Sequence, residues 1–393
     1  MIFVGLGYLF VKNRRIFWFI FLLFLVNGPF FVFYASFPLV GRLLIATFER
    51  FVLLSLPYAI ILAVFGMIAF SEFMSRLISG FTTTIKQNSL KTLFLAIFLI
   101  IPLFLFKNNL PKMLFLRNDF FADNLGKDIL NTTEPNSLLL LSFDQPLFNT
   151  QYVYYAQKYR NDVKLIHKNL LSFEYYRKLV EKEYPEVLMP DFSDNFMADF
   201  LEANSQKFPI YLNDSDVKGG WREPIGLLYK YHFSEKTLPS NEEVIEKNRK
   251  TWNSYQDYAK FIGKDYFLMP LSVLDSYWSA EKELGKLYVE GGRYKEAIAQ
   301  FEKTARIKKD DDLFMFLATA YFKLGKCQQA EENLLIALDF TKDRREEIFN
   351  YLSTNAGQCW QDEEAANKYE QQAEKAKQDK EKLEIERKER FSR

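Results

Sequence analysis

Two histidines and one aspartate stand out among the 393 residues as side chains whose positions could support chemistry. The histidines are His167 and His232, and the sequence has no others. Asp144 directly follows an apolar run at residues 137–143 (SLLLLSF), and His167 ends a second run at residues 163–167 (VKLIH). Such runs predict buried strands. Because ligands of open α/β sheets bind outside the carboxyl ends of the strands, Asp144 and His167 are the candidate ligand-binding residues.

No recognisable catalytic motif accompanies either candidate. Residues 144–147 (DQPL) lack the small side chains that let backbone amides approach a phosphate. Asp144 is therefore interpreted as a helix N-cap or turn residue in preference to a catalyst. A histidine without ligand spacing is interpreted as structural. We assign no catalytic residue and predict no cofactor.

The acidic residues and the cysteines give little support for a metal site. Residues 213–216 (NDSD) could hold a hydrated cation, but an ordinary loop is the simpler interpretation. Cys327 and Cys359 lack the spacing of a zinc site and are expected to be small core residues. A single disulfide between them is the alternative if the region faces an oxidising compartment. No metal is predicted.

Strand and helix patterns alternate between residues 136 and 212. In chain order the predicted elements are strand 137–143, helix 147–159, strand 163–167, helix 175–184, helix 196–205 and strand 209–212. Strands and helices that alternate at this spacing predict a small α/β domain with a mostly parallel sheet, assigned here to residues 112–270.

A repeat with a period near 33 occupies the C-terminal region, residues 271–393. Its signature positions are Leu284, Gly285, Tyr288, Gly292, Ala297 and Phe301 in a first unit (about 278–310), and Leu317, Ala318, Tyr321, Gly325, Ala330 and Ala337 in a second (311–344). Small residues allow two helices to approach while aromatic rings fill the space between them, so the pattern predicts an all-α tetratricopeptide (TPR) solenoid.

A third unit at residues 345–378 is degenerate, since Trp360 stands where the turn glycine belongs. The end of the chain, residues 362–393, is rich in Glu, Lys and Gln and predicts a polar capping helix with ion pairs along its surface. A coiled coil is less favoured because sustained apolar a and d positions are missing.

Three apolar segments in the first third of the chain are long enough to cross a bilayer. They are residues 16–36, 51–70 and 90–106, and none contains Asp, Glu, Lys or Arg apart from Lys91 next to the start of the third. A spanning helix needs roughly 20 residues, and charges at mid-membrane are costly. Residues 1–111 are therefore predicted to be helical and embedded in the lipid bilayer. A transporter is disfavoured because no charge lies in the interior of a predicted span.

Residues 1–11 are apolar but too short to cross, and basic residues follow them at 12–15 (KNRR). A signal peptide would carry its charges before the apolar run. The segment is expected to be the end of a spanning helix, which predicts that the chain is a C-terminal portion of a larger membrane protein. With residues 12–15 and the loop at 71–89 in the cytoplasm, everything after residue 106 lies outside, although the charge bias is slight.

Charge balance gives no reason to expect nucleic acid. Lys and Arg number 51 and Asp and Glu number 50, so the formal net charge is +1. The only strongly charged stretch, near the C-terminus, mixes both signs. No global field would attract a polyanion.

An ordered set of motifs carries a family resemblance. These are residues 12–15 (KNRR), 27–29 (NGP), 136–144 (NSLLLLSFD), 159–163 (YRNDV), 208–211 (FPIY) and 223–229 (EPIGLLY). In this order they resemble the C-terminal half of large bacterial membrane proteins related to the animal TPR-tailed protein O-mannosyltransferase. Those proteins are multi-span glycosyltransferases of the GT-C type. The resemblance covers most of the chain, from Met1 through the repeats.

The resemblance implies a polyprenyl-phosphate-linked sugar as donor and an acceptor protein on the outer face of the cell membrane. It also implies that the α/β domain and the repeats are extracytoplasmic. The acidic catalytic residue of GT-C enzymes lies in a first outer loop that has no counterpart here, so no catalytic role is carried over. Asp144 matches a recurrent aspartate of that family to which no chemistry is assigned.

Two functional hypotheses follow. In the first, the chain is the C-terminal part of a polyprenyl-phosphate-sugar-dependent membrane glycosyltransferase, binds or positions the acceptor, and works with a membrane subunit encoded upstream. In the second, it is a non-catalytic, membrane-anchored TPR scaffold that binds a protein partner. The second is favoured by the lack of any convincing nucleophile, metal site or acid pair.

Overall fold

The structure is a computed structural model that describes residues 1–36, 42–80, 87–215, 219–264, 268–341 and 343–391. The chain divides into two compact units, Met1–Phe120 and Phe121–Arg393. Within the described residues the first unit is all-α, and the second combines helices with one small sheet.

Apolar helices make up the first unit. In chain order they are α1 (Ile2–Lys12), α2 (Arg14–Leu25), α3 (Phe31–Ala35), α4 (Arg42–Leu53), α5 (Leu56–Ser79), α6 (Gln87–Phe98) and α7 (Ile100–Arg117). A π-helical turn, Val26–Phe30, joins α2 to α3, so the helix continues through Pro29. Proline is tolerated in spanning helices where local π adjustments satisfy the freed backbone groups.

Three helical segments are long and apolar enough to cross a membrane: Arg14–Tyr34, Leu56–Ser79 and Gln87–Thr132. They overlap the three apolar segments predicted from the sequence, but their ends differ. The second begins at Leu56, not at residue 51, because the chain turns at Leu54 and Ser55. The end of the third, from Phe121 onward, belongs to the second unit and lies outside the apolar part.

The second apolar helix also extends further than expected. It continues to Ser79, so the expected loop at residues 71–89 is wrong for residues 71–79. Glu72 and Arg76 therefore lie within the helix, and the expectation of spans without charge does not hold for its last turns. Glu72 pairs with Lys91 of α6 at 2.8 Å, which compensates its charge.

Glycines bring α1 close to α5. A side-chain carbon added to Gly5 would lie 1.8 Å from the carbonyl oxygen of Leu62, and one added to Gly66 would lie 2.1 Å from that of Met1. Small residues permit this backbone approach between membrane helices. The short apolar segment predicted at residues 1–11 is thus a helix that packs on a candidate membrane helix.

A five-stranded sheet lies in the described part of the second unit. Its elements are α8 (Phe121–Thr132), β1 (Leu138–Leu141), α9 (Asp144–Gln151), β2 (Lys164–His167), α10 (Glu174–Glu183), α11 (Phe196–Ser205), β3 (Ile210–Leu212), β4 (Trp221–Ile225) and β5 (Leu228–His232). The strand order is β2-β1-β3-β5-β4, and β1 is parallel to both of its neighbours. Since β5 is antiparallel to β3 and to β4, the prediction of a mostly parallel sheet is wrong; the sheet is mixed.

The β4–β5 hairpin is the part that sequence patterns missed. Pro224 and charged residues interrupt the apolar pattern of β4, as is usual for an edge strand. Gly226 opens the two-residue turn with φ of +53°, a conformation that side-chain-bearing residues rarely adopt. The hydroxyl of Tyr255 accepts from the Leu227 N–H at 3.0 Å, which ties the turn to the chain after the next helix.

Seven further helices follow the sheet in the described residues, and the last six of them pack in consecutive pairs. They are α12 (Asn241–Ser254), α13 (Leu268–Glu290), α14 (Tyr294–Thr304), α15 (Asp311–Lys323), α16 (Cys327–Phe340), α17 (Arg345–Thr354) and α18 (Glu363–Phe391). The pairs are α13 with α14, α15 with α16, and α17 with α18. The last of these helices covers residues 363–391 of the predicted polar helix, and residues 392 and 393 lie outside the described part of the chain.

The two cysteines form a disulfide. Cys327 at the start of α16 bonds to Cys359, which follows α17, across a Cα–Cα distance of 5.6 Å. Neither residue is buried. The expectation of small core residues is therefore wrong, because both positions lie at helix ends near the surface.

Candidate functional site at the carboxyl edge of the parallel strands

The central strand β1 lies between the parallel strands β2 and β3. The helices that connect these strands pack in different layers. Helix α9, between β1 and β2, packs on α8. Helices α10 and α11, between β2 and β3, share a core with one face of the sheet; it includes Leu138, Leu140, Phe200 and Leu212. The order of the strands thus switches at β1, with one connection on each side of it. In open sheets ligands bind in the crevice formed at such a switch point.

Asn213 spans the crevice between β1 and β3. Its side-chain oxygen accepts from the Ser142 N–H at 2.7 Å, and its amide nitrogen donates to the Ser142 carbonyl at 2.7 Å. These two bonds satisfy both backbone polar groups of the first residue after β1, where the ladder has ended. The crevice mouth is therefore held at a fixed width.

An ion pair lies beside the Asn213–Ser142 clamp, the name used here for these two hydrogen bonds. Lys168, directly after β2, pairs with Asp214 at 2.6 Å, and the Ser142 hydroxyl donates to the other oxygen of the same carboxylate. Both charged side chains are largely buried. The acidic stretch considered for a cation therefore has one carboxylate already bound by protein groups, and Asp216 lies outside the described residues. No cluster of three His, Cys, Asp or Glu with metal-binding geometry is present in the described part of the chain.

His167 contributes a ring nitrogen to this edge. It lies opposite Leu141 in the sheet, and its backbone N–H donates to the Tyr176 hydroxyl at 2.9 Å. Burial lowers the pKa of His167 below its usual value, although the Asp144 carboxylate acts in the opposite direction. Its Nδ1 atom is buried and has no hydrogen-bond partner within the described residues. Because buried polar atoms are almost always hydrogen-bonded, this nitrogen is a candidate partner for a ligand that enters the crevice.

Asp144 is exposed at the first turn of α9. The N-cap position is Phe143, so the N-cap interpretation of Asp144 is wrong by one residue. Phe143 has φ of +64° and a side chain that is 64% exposed. A bulky residue in this conformation is strained, and such strain is concentrated at functional sites.

Exposed aromatic rings accompany the polar groups. Phe173 and Tyr175 follow β2, lie with ring centroids 5.8 Å apart and are both exposed. Phe143, which follows β1, is likewise exposed, so the segments after both strands present aromatic surface. This combination suits recognition of a polypeptide or a sugar ring, which present both kinds of surface.

Sequence reasoning located this edge but missed most of its residues. It named Asp144 and His167, which the structure places at neighbouring strand ends. It did not identify Ser142 or Lys168, and it did not predict that Asn213 bonds to Ser142. Their signal was position alone, since each follows a strand by one or two residues.

The other histidine is structural. His232 Nε2 and Lys247 Nζ each lie 2.8 Å from an oxygen of Glu223, which is 1% exposed. Burial by itself would raise the pKa of Glu223, but these hydrogen bonds outweigh it and the pKa is lowered. The group joins β4, β5 and α12.

The predicted repeat positions lie in the paired helices. Leu284, Gly285 and Tyr288 are in α13, Ala297 and Phe301 in α14, Leu317, Ala318 and Tyr321 in α15, and Ala330 and Ala337 in α16. Gly292 and Gly325 have φ near +70° after the first helix of each pair. In the third pair Gln361, not a glycine, takes the equivalent turn with φ of +56°. This explains how Trp360 is tolerated there, since a neighbouring residue provides the turn.

Comparison with known proteins finds a distant relative. Protein O-mannosyl-transferase TMEM260 of Mus musculus is 24% identical in an alignment of 166 positions that covers 37% of this chain and 23% of the mouse protein. The chain thus spans about a quarter of the length of that relative. No family model matches the sequence. With three helices able to cross a membrane, this similarity suggests a glycosyltransferase-like membrane protein.

Proposed function

We propose that this chain is the acceptor-binding part of a polyprenyl-phosphate-sugar-dependent membrane glycosyltransferase related to the protein O-mannosyltransferases. The carboxyl edge of the parallel strands, with His167, Lys168 and the exposed ring of Phe143, is its acceptor site. The catalytic step belongs to a membrane subunit encoded upstream. The observation that carries the proposal is the unpartnered Nδ1 of His167 within the described residues, at a strand edge followed by the exposed rings of Phe143, Phe173 and Tyr175, in a chain similar to a protein O-mannosyltransferase.

The proposal places the second unit outside the cell membrane. Disulfides persist in oxidising compartments and are rare in the cytosol, so the Cys327–Cys359 bond supports this orientation. Exposed aromatic rings and hydrogen-bonding groups at one edge fit an extended acceptor segment, since such segments present backbone amides and side chains together.

The paired helices support assignment of the C-terminal region to TPR repeats. A side-chain carbon on Gly285 would lie 2.4 Å from the Phe301 ring, so the first pair depends on a small residue where the repeat pattern requires one. Ala297, Ala318 and Ala330 are buried at the other small positions. This is the observation that favours the second function, a non-catalytic scaffold that binds a protein partner.

Site-specific crosslinking separates the two functions. A photoreactive residue at Phe143 of the full chain should capture an outer-face protein that carries an O-linked sugar when the upstream membrane subunit is co-expressed. Lys168→Gln should reduce capture, because it breaks the ion pair with Asp214. Lys178→Gln is the matched control, since its pair with Glu174 is exposed on α10.

The acceptor-site proposal also requires that the captured protein receives sugar. Membranes that contain both subunits should transfer sugar from a polyprenyl-phosphate donor to the captured protein. Capture from a photoreactive residue on α15 or α16 instead, without transfer by the joined subunits, would establish the scaffold and refute the acceptor site.

A further inference from the structure

A groove of about 450 Å³ runs along the surface of the first unit between α1 and α5. Its walls are apolar and include Val4 and Val11 of α1 and Phe70 and Phe73 of α5. Its volume lies within the range of about 300–1,000 Å³ typical of ligand clefts. The walls belong to a candidate membrane helix and to the helix packed on it.

A glycine of α1 lines the groove. Gly7 is exposed in α1, and a side-chain carbon placed on it would meet no atom within 4 Å. Gly5, about 200° away round the helix, is in tight contact with Leu62, so α1 meets α5 on one side and presents Gly7 to the groove on another. A larger residue at Gly7 would fill the groove without disturbing the helix contact.

Only one end of the groove is polar. Lys12 lines this end, with its ammonium 6.0 Å from the centre of the Tyr8 ring. The Tyr8 hydroxyl donates to Glu72 at 3.3 Å, and Lys91 neutralises that carboxylate. The positive charge of Lys12 is joined in sequence by those of Arg14 and Arg15, both exposed.

We propose that this groove binds a phospholipid with an anionic phosphate headgroup. The acyl chain lies along the apolar walls over Gly7, and the phosphate lies at Lys12, with Arg14 and Arg15 adding to the local positive potential. Charge complementarity selects the headgroup, because basic residues at a membrane surface attract anionic lipids by about 1 kcal/mol each. The apolar walls select a lipid over a free phosphate. This site is independent of the proposed acceptor site.

Native mass spectrometry of the full chain in mild detergent tests the proposal. The chain should retain dioleoyl phosphatidic acid at least about fivefold more than dioleoyl phosphatidylcholine, since about 1 kcal/mol corresponds to a factor of about five. Lys12→Gln should remove most of that preference. Lys107→Gln, an exposed lysine of α7, should leave it unchanged. Gly7→Leu should reduce retention of both lipids, with unchanged helix content by circular dichroism.

Three results would overturn the proposal. The first is equal retention of the two lipids by the unmodified chain. The second is competition by millimolar inorganic phosphate as effective as that by phosphatidic acid, which would show an ion site without a lipid chain. The third concerns a photoreactive residue at Val11, which is 81% exposed. In membranes it should crosslink to lipid; crosslinking to another protein helix would assign the groove to that helix.

Discussion

The Tyr277 hydroxyl donates a hydrogen bond to the Asp128 carboxylate at 2.9 Å, and both side chains are buried. This contact joins α8 to α13, so it connects the helix before the sheet to the first helix of the paired region. Burial raises the pKa of Asp128 to about 6, although the Tyr277 bond acts against the shift. The folded state therefore holds a proton on Asp128 more tightly than the unfolded chain does.

Asp128→Asn should stabilise the protein at neutral pH. Between about pH 4 and pH 6 the folded state holds a proton that the unfolded state has lost, so the free energy of unfolding decreases as pH rises through this window. The neutral amide of the variant cannot ionise, so this loss of stability does not occur. The free energy of unfolding should rise by roughly 1–3 kcal/mol at about pH 7.5 and by much less at about pH 4.5. Thermal unfolding in detergent at both values measures it.

The side-chain amide oxygen of the Asp128→Asn variant can still accept from the Tyr277 hydroxyl, which is why the substitution should be tolerated. Asp123→Asn on the same helix is the control, since Asp123 is only partly buried and its carboxylate is paired with Lys127. An equal change at both pH values would contradict the assignment, because the effect would then not arise from titration.

Glu223→Gln should destabilise the second unit. The carboxylate accepts from both His232 and Lys247, and loss of a hydrogen bond to a charged group costs roughly 1.5–3 kcal/mol. Since the folded pKa is lowered, the stabilisation is present above the unfolded pKa near 4.5 and is lost as pH falls through the folded value. The difference in unfolding temperature between the unmodified protein and Glu223→Gln should therefore shrink in acid.

Glu246→Gln, on the exposed side of the same α12, is the matched control. Its pair with Arg249 lies at the surface, and such pairs contribute little. Similar unfolding temperatures for the two variants would show that burial of Glu223 does not govern its contribution.

Local patterns predicted the elements that bury a continuous apolar run. The residues of β1 and β3 are apolar throughout, and α11 was predicted with its observed ends. The β4–β5 hairpin escaped because its stability comes from contacts across the sheet and with α12, such as the bond between Asn248 and the Pro224 carbonyl. The local sequence pattern of the hairpin alone predicts a loop.

The candidate site was predictable in place but not in composition. Topology alone put Asp144 and His167 at the strand ends. The Asn213–Ser142 clamp joins residues 71 positions apart, and no local pattern carries information on such a pair. The cysteines show the same limit, since a spacing of 32 residues is compatible with a bond or with two core positions.

Reduction of the disulfide should lower stability. The two cysteines are 32 residues apart, and a cross-link that closes a loop of this size contributes about 2–4 kcal/mol. A reductant should therefore lower the unfolding temperature of the unmodified protein but not that of the Cys327→Ser, Cys359→Ser double variant. A decrease of the same size in both would mean that the reductant acts elsewhere.

Gly285→Ala should weaken the α13–α14 pair. The added methyl group would lie 2.4 Å from the Phe301 ring, which is fully buried and has no space to withdraw. Overpacking of this kind costs about 1–3 kcal/mol, more than alanine gains in helix propensity, so the unfolding temperature should fall. At Gly357 the same methyl group would lie 3.7 Å from Ala366, an ordinary contact, so Gly357→Ala should have little effect. Equal effects of the two substitutions would indicate that Phe301 moves aside and that helix propensity alone determines the outcome.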